Sequence, residues 1–260
     1  MLANIIGSNI FYEVTGEGLP LIFVHGLGGT SNVWHAQRVG LSKYGKVITL
    51  DLPGSGRSAK NERAFTMERW ADQVAALADH LQLDKFVLVG HSMSTIVAQK
   101  CAAKHGQRIS GLVLCGPLTE LPPAGKEAFT KRAETVQKEG MIAIADAVLA
   151  GALTPATREA NAALAGLYRE VLLANDSACY AAQCQALING SARADQANIR
   201  CPTLILLGDQ DSVTPLSMAR AIAAAVANCK IKIIPATAHL TMAERPELFN
   251  AALVEFLAGL

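Results

Sequence analysis

Short apolar stretches rich in β-branched residues alternate along the chain with longer, alanine-rich stretches whose apolar positions recur at helical spacing. The short ones predict strands at Ala3–Ile6, Ile10–Val14, Pro20–Val24, Val47–Leu50, Phe86–Val89, Gly111–Leu114, Thr203–Leu207 and Ile231–Ile234. Gly7-Ser8-Asn9 separates the first two and reads as hairpin chemistry. Several of the later runs are apolar throughout, the pattern of parallel strands buried on both faces. Helices are predicted at Met67–Leu81, Met93–His105, Leu216–Val226 and Pro246–Leu257, the last opening on a proline that the first helical turn tolerates. Strand alternating with helix predicts an α/β fold: a mostly parallel sheet with helices on both faces and an antiparallel N-terminal hairpin.

The alternation stops at Pro117 and resumes near residue 199. Between them four helices are predicted, Gly125–Glu139, Met141–Ala150, Pro155–Leu173 and Ser177–Ile188, broken at Gly140, Gly151 and Asn175-Asp176. So long an insertion exceeds a simple crossover. It divides the chain into a first core part (residues 1–116), an all-helical cap (117–198) and a second core part (199–260).

Composition narrows the classes. Hydrophobic residues make up 51% and charged residues 17%, which excludes a disordered chain. Lys+Arg 23 against Asp+Glu 22 leaves +1, so neither a nucleic-acid nor an anionic-membrane partner is expected. No apolar run reaches the ~18 residues of a membrane-spanning helix. The N-terminal MLANIIGSNIFYEV lacks a basic segment followed by an apolar one, so a signal peptide is not expected. The expected location is the cytoplasm. Cys101, Cys115, Cys179, Cys184, Cys201 and Cys229 then read as reduced, mostly buried thiols, with a Cys179–Cys184 bridge a poor alternative in a reducing compartment. His35, His80, His91 and His105 show no ligand spacing; neither a metal nor a cofactor is expected.

Four strand ends carry chemistry. Phe86-Val87-Leu88-Val89 runs into Gly90-His91-Ser92-Met93-Ser94 and then a helix, so Ser92 stands on a tight strand–helix turn. Leu21-Ile22-Phe23-Val24 ends in His25-Gly26-Leu27-Gly28-Gly29, a flexible loop without the spacing of a phosphate cradle. Thr203-Leu204-Ile205-Leu206-Leu207 ends in Gly208-Asp209-Gln210-Asp211, and Ile231–Ile234 leads to Ala238-His239.

The Gly90–Ser94 segment resembles the nucleophile elbow of the α/β-hydrolase superfamily, with Ser94 standing where the pattern has its second glycine. The order Ser92, Asp211, His239 is that of the superfamily's triad. The resemblance extends over nearly all of the chain, including Asp51-Leu52-Pro53-Gly54-Ser55-Gly56-Arg57-Ser58, read as a structural loop. It implies Ser92 as nucleophile, Asp211 as acid and His239 as base, with the Leu27 and Met93 backbone N–H groups as oxyanion donors. Asp209 reads as a turn former and Glu120 as a reserve acid. His25 is expected to brace its loop, and His91 to be structural. Trp34 is either a pocket residue or a core aromatic. Ser94 is expected to loosen the helix contact slightly.

The resemblance thus implies a serine hydrolase similar to small capped bacterial esterases and enol-lactonases, acting on a small carboxylic ester or lactone. A serine rather than aspartate nucleophile argues against dehalogenase and epoxide hydrolase chemistry. Carbon–carbon bond cleavage on the same triad and a hydrolase-like small-molecule receptor remain alternatives. The cap carries 8 Lys+Arg and 9 Asp+Glu between Pro117 and Arg200, so it advertises no charge preference, and the oligomeric state is left open.

Overall fold

The computed structural model describes residues 1–61 and 64–260. Its strands are β1 (Leu2–Ile5), β2 (Ser8–Thr15), β3 (Pro20–Val24), β4 (Lys46–Leu50), β5 (Phe86–His91), β6 (Ile109–Cys115), β7 (Thr203–Gly208) and β8 (Cys229–Ile234). They form one sheet in the order β1-β2-β4-β3-β5-β6-β7-β8. β1–β2 and β2–β4 are antiparallel; every pair from β4 onward is parallel.

The all-apolar runs are explained by two-sided burial. Alternate residues of one strand enter different cores: Phe86 and Leu88 of β5 face one side, Val87 and Val89 the other. β3, β6 and β7 divide in the same way. Each such side chain removed from water contributes ~1.5–3 kcal/mol. On the first side lie α2 (Met67–His80) and α3 (Met93–Lys104); on the second lie α1 (His35–Leu41) and the C-terminal helix.

Between β6 and β7 come α4 (Pro123–Glu139), α5 (Ile142–Ala152), α6 (Pro155–Ala160), α7 (Ala162–Leu173) and α8 (Ser177–Asn189). The two ends of this insert meet. Glu120 bridges Ser191, and the Ala192 N–H donates to the Thr119 carbonyl at 2.9 Å. Val136, Met141, Ile144, Tyr180 and Cys184 form the insert's own core, and Leu27 from the loop after β3 packs against it. The chain closes with α9 (Leu216–Ala225), α10 (Thr241–Glu244) and α11 (Pro246–Leu257).

Two expectations are corrected, and one helix is new. The hairpin turn is Ile6-Gly7, not Gly7-Ser8-Asn9: Ile5 pairs with Ser8, and both turn residues have positive φ (50° and 78°), as a two-residue turn of matching twist requires. Pro155–Leu173 is two helices, because Asn161 leaves helical geometry and its Oδ1 caps α7 by accepting the Leu164 N–H at 3.0 Å. Helix α1 was not expected; only Gln37 and Leu41 of its seven residues are buried, too few for a readable stripe. All six cysteines are free thiols. Among the described residues, no helix is long and apolar enough to cross a membrane.

Candidate active site

At the end of β5 the backbone turns through Ser92 with φ 51° and ψ −122°, a region that non-glycine residues rarely adopt and that costs ~1–3 kcal/mol. Hydrogen bonds hold it there. The Ser92 N–H donates to the Cys115 carbonyl on β6 at 2.9 Å, and its carbonyl accepts the Thr95 N–H at 2.8 Å and the Thr95 hydroxyl at 2.7 Å. Gly90 lets strand and helix close up, since a Cβ there would lie 2.5 Å from the Ser94 carbonyl oxygen. Ser94 does not loosen this contact as expected. Its hydroxyl donates to the His25 carbonyl at 2.5 Å and ties α3 to the end of β3. Ser92 is left partly exposed among buried neighbours. Met93 opens α3, where the first N–H groups have no intrahelical acceptor.

The loop after β3 is oriented by His25. The Leu52 N–H donates to His25 Nε2 at 3.0 Å, so the ring proton sits on Nδ1, which donates to the Gly26 carbonyl at 2.7 Å. Burial keeps this imidazole below its ordinary pKa, against the pull of Asp51 and the Gly26 hydrogen bond. Gly26 O also accepts the Gly29 N–H at 3.1 Å. A trans peptide directs its N–H opposite its carbonyl, so pinning Gly26 O aims the Leu27 N–H the other way. From the insert, Asn175 Nδ2 donates to the Gly28 carbonyl at 3.0 Å. Buried Asp51 secures the neighbouring loop by accepting the Ser31 and Arg57 N–H groups at 2.6 and 2.8 Å.

Asp211 is buried, with both oxygens occupied. Oδ1 accepts the Val213 and Thr214 N–H groups at 2.9 Å each; Oδ2 accepts the Thr214 hydroxyl and His239 Nδ1, both at 2.8 Å. Burial acts to raise its pKa, but His239 and the Thr214 hydrogen bonds outweigh it and hold the carboxyl below the usual range. With Nδ1 donating to the carboxylate, His239 Nε2 carries the lone pair. Gly116 (φ +53°) permits this closeness: a Cβ there would lie 2.9 Å from His239 Nδ1 and 3.2 Å from Asp211 Oδ2. Gly116 was not singled out in the sequence, where it is one small residue after a strand.

His239 packs on His91, the residue before Ser92. Their ring centroids are 4.7 Å apart, and His91 Nε2 donates to the His239 carbonyl at 3.1 Å. Burial, then the His239 ring, pushes His91 down to about 3, so it stays neutral. A cavity of about 50 Å³ adjoins His91, lined chiefly by Leu27, Val148, Leu149, Tyr168, Leu172 and Leu240. The Tyr168 hydroxyl donates to Val33 O at 3.4 Å. Trp34 is a fully buried core aromatic behind His91, against Phe23 and Phe249. Asp209 is exposed and accepts the Thr237 N–H at 3.2 Å, as a turn former does. Glu120 is engaged by Arg193 and Ser191, away from His239. Among the described residues, no group of three or more His, Cys, Asp or Glu side chains could hold a metal ion.

Residues 20–246 match the family described as alpha/beta hydrolase fold. The chain belongs to that family. It is 29% identical to a non-heme haloperoxidase of Rhodococcus erythropolis, covering 96% of each chain. It superposes on the enol-lactonase of Burkholderia xenovorans with a TM-score of 0.94 at 28% identity, covering 99% of this chain and 100% of that one. A thermophilic esterase of Thermogutta terrifontis gives a TM-score of 0.93 at 30% identity, covering 100% and 98%. The family and these relatives support hydrolase chemistry.

Proposed function

We propose that this protein is a serine hydrolase that cleaves a small, uncharged carboxylic ester or lactone. The observation that carries the reading is the buried Asp211–His239 pair, joined at 2.8 Å and packed on the residue before the strained Ser92. His239 Nε2 takes the Ser92 proton as the hydroxyl attacks the carbonyl carbon. Asp211 fixes the tautomer and stabilises the imidazolium that forms. The Leu27 and Met93 N–H groups receive the oxyanion, each donor worth ~3–4 kcal/mol in such sites. The leaving alcohol takes its proton from His239, and water activated by the same ring releases the acid.

Residues 117–198 act in this reading as a cap over the site. The cavity beside His91 is lined by apolar residues of α5 and α7 together with Leu27, Val33 and Leu240, and among the described residues no lysine or arginine lines it, which suits a neutral acyl group. The enol-lactonase and esterase relatives support cleavage of an ester or lactone bond. A series of p-nitrophenyl esters of increasing acyl length, beside neutral and carboxylate-bearing lactones, tests it. Highest kcat/KM is expected on short neutral acyl groups; preference for anionic or long-chain substrates would overturn the assignment.

A further inference from the structure

A buried carboxylate outside the triad holds the loop that carries His239. Glu244 ends α10 and is buried. Its Oε2 accepts the Ala238 N–H at 2.6 Å. Its Oε1 accepts the N–H and the hydroxyl of Thr154, each at 2.8 Å. Thr154 is the N-cap of α6, and the Thr157 N–H donates to the same Thr154 oxygen at 3.1 Å. The Thr154 hydroxyl has one proton, and the carboxylate is its strongest nearby acceptor, so this threonine caps a helix and binds Glu244 at once.

Each residue from 238 to 240 has a backbone group fixed from outside the loop. Glu244 holds Ala238 N, His91 holds His239 O, and the Leu240 N–H donates to the Ala152 carbonyl at 3.0 Å. Two of these three attachments lead to the corner of residues 152–154, where α5 passes into α6. We propose that Glu244 is a positioning residue: it ties that corner of the insert to the backbone of His239, so the aim of Nε2 at Ser92 depends on the corner being seated. The inference rests on the proposed Ser92–His239 pairing. The ring is hydrogen-bonded through Nδ1, so its aim follows the backbone beneath it. A displacement of about 1 Å at such a site costs on the order of 100-fold in rate.

Glu244→Gln is nearly isosteric but sets an NH2 group against either the Ala238 or the Thr154 N–H. On a neutral p-nitrophenyl ester its kcat is expected to fall about 10- to 100-fold with KM within about threefold. Labelling of Ser92 by an alkyl fluorophosphonate, in which the serine oxygen displaces fluoride from phosphorus, should slow by the same factor, because both rates read the aim of the base. Thr154→Val, which keeps the N–H and loses the hydroxyl, is expected to lose about 3- to 10-fold in kcat, and Thr154→Ser to restore it. A merely structural carboxylate would lower Tm in Glu244→Gln and leave kcat and labelling at 25 °C unchanged; that result overturns the proposal. Should Glu244→Gln fail to fold, the Thr154 pair decides: equal kcat for valine and serine overturns it. Turnover surviving in a Ser92→Ala control would instead overturn the triad reading, and this inference with it.

Discussion

The Ser94 hydroxyl donates to the carbonyl of His25 at 2.5 Å, joining the helix that follows Ser92 to the end of the strand that leads into the Gly26–Gly29 loop. The family pattern has glycine at this position. Here serine takes the same space and adds a tether between two elements of the site. Ser94→Gly should therefore cost roughly 1–2 kcal/mol, from a lost hydrogen bond and a glycine inside a helix. Tm should drop by a few degrees while ester turnover at 25 °C persists. An unchanged Tm would show that the tether contributes nothing.

The two aspartates after β7 should separate clearly. Asp211 Oδ2 accepts from His239 and Thr214, whereas Asp209 lies exposed and accepts a turn N–H. Asp211→Asn, which presents the wrong tautomer partner, should lower kcat on the order of 10³- to 10⁴-fold. Asp209→Asn keeps a carbonyl acceptor and should stay within about threefold of wild type. The opposite ranking in steady-state assays would reassign the acid.

Gly116 offers a test that leaves every polar group in place. An added methyl would press on the imidazole at 2.9 Å, and the positive φ disfavours any side chain. Gly116→Ala is expected to lose at least ~100-fold in kcat while remaining folded by circular dichroism. Near-normal turnover would mean that His239 can move without cost.

Acid sensitivity is built into the buried imidazoles. His91 takes a proton near 6.5 when unfolded but only near about 3 in the fold. Between those values the unfolded state binds more protons. Stability is therefore full above about pH 6.5 and falls with decreasing pH, by up to ~1.4 kcal/mol per unit. His25, also lowered by burial, acts in the same direction, and Asp211 adds its loss only below its ordinary 3.8. Urea midpoints should decline from pH 7 to 4, less steeply for His91→Gln. Identical slopes would place the proton uptake elsewhere.

Legibility in the sequence was governed by local pattern. The runs at Phe86–Val89 and Thr203–Leu207 announced two-sided strands, and Ser92 and Asp211 each follow such a run by a few positions, whereas His239 follows the largely exposed edge strand β8. Features that depend on distant partners were not readable. Gly116 matters because residue 239 folds over it, and Glu244 because Thr154, ninety residues earlier, meets it. The break at Asn161 was missed because an isolated asparagine in an alanine-rich stretch looks like a helix surface until its side chain is seen capping. His91 was expected to be structural; that its Nε2 reaches the His239 backbone and its ring packs on the imidazole depends on a partner 148 residues away.

The central claim is that His239 makes the Ser92 hydroxyl a nucleophile. Treating the intact protein with an alkyl fluorophosphonate and mapping the adduct by mass spectrometry tests it most directly. One adduct is predicted, on Ser92, absent in Ser92→Ala and at least ~100-fold slower to form in His239→Ala. An adduct on another residue, or Ser92 labelling that proceeds at the wild-type rate without the imidazole, would contradict the account.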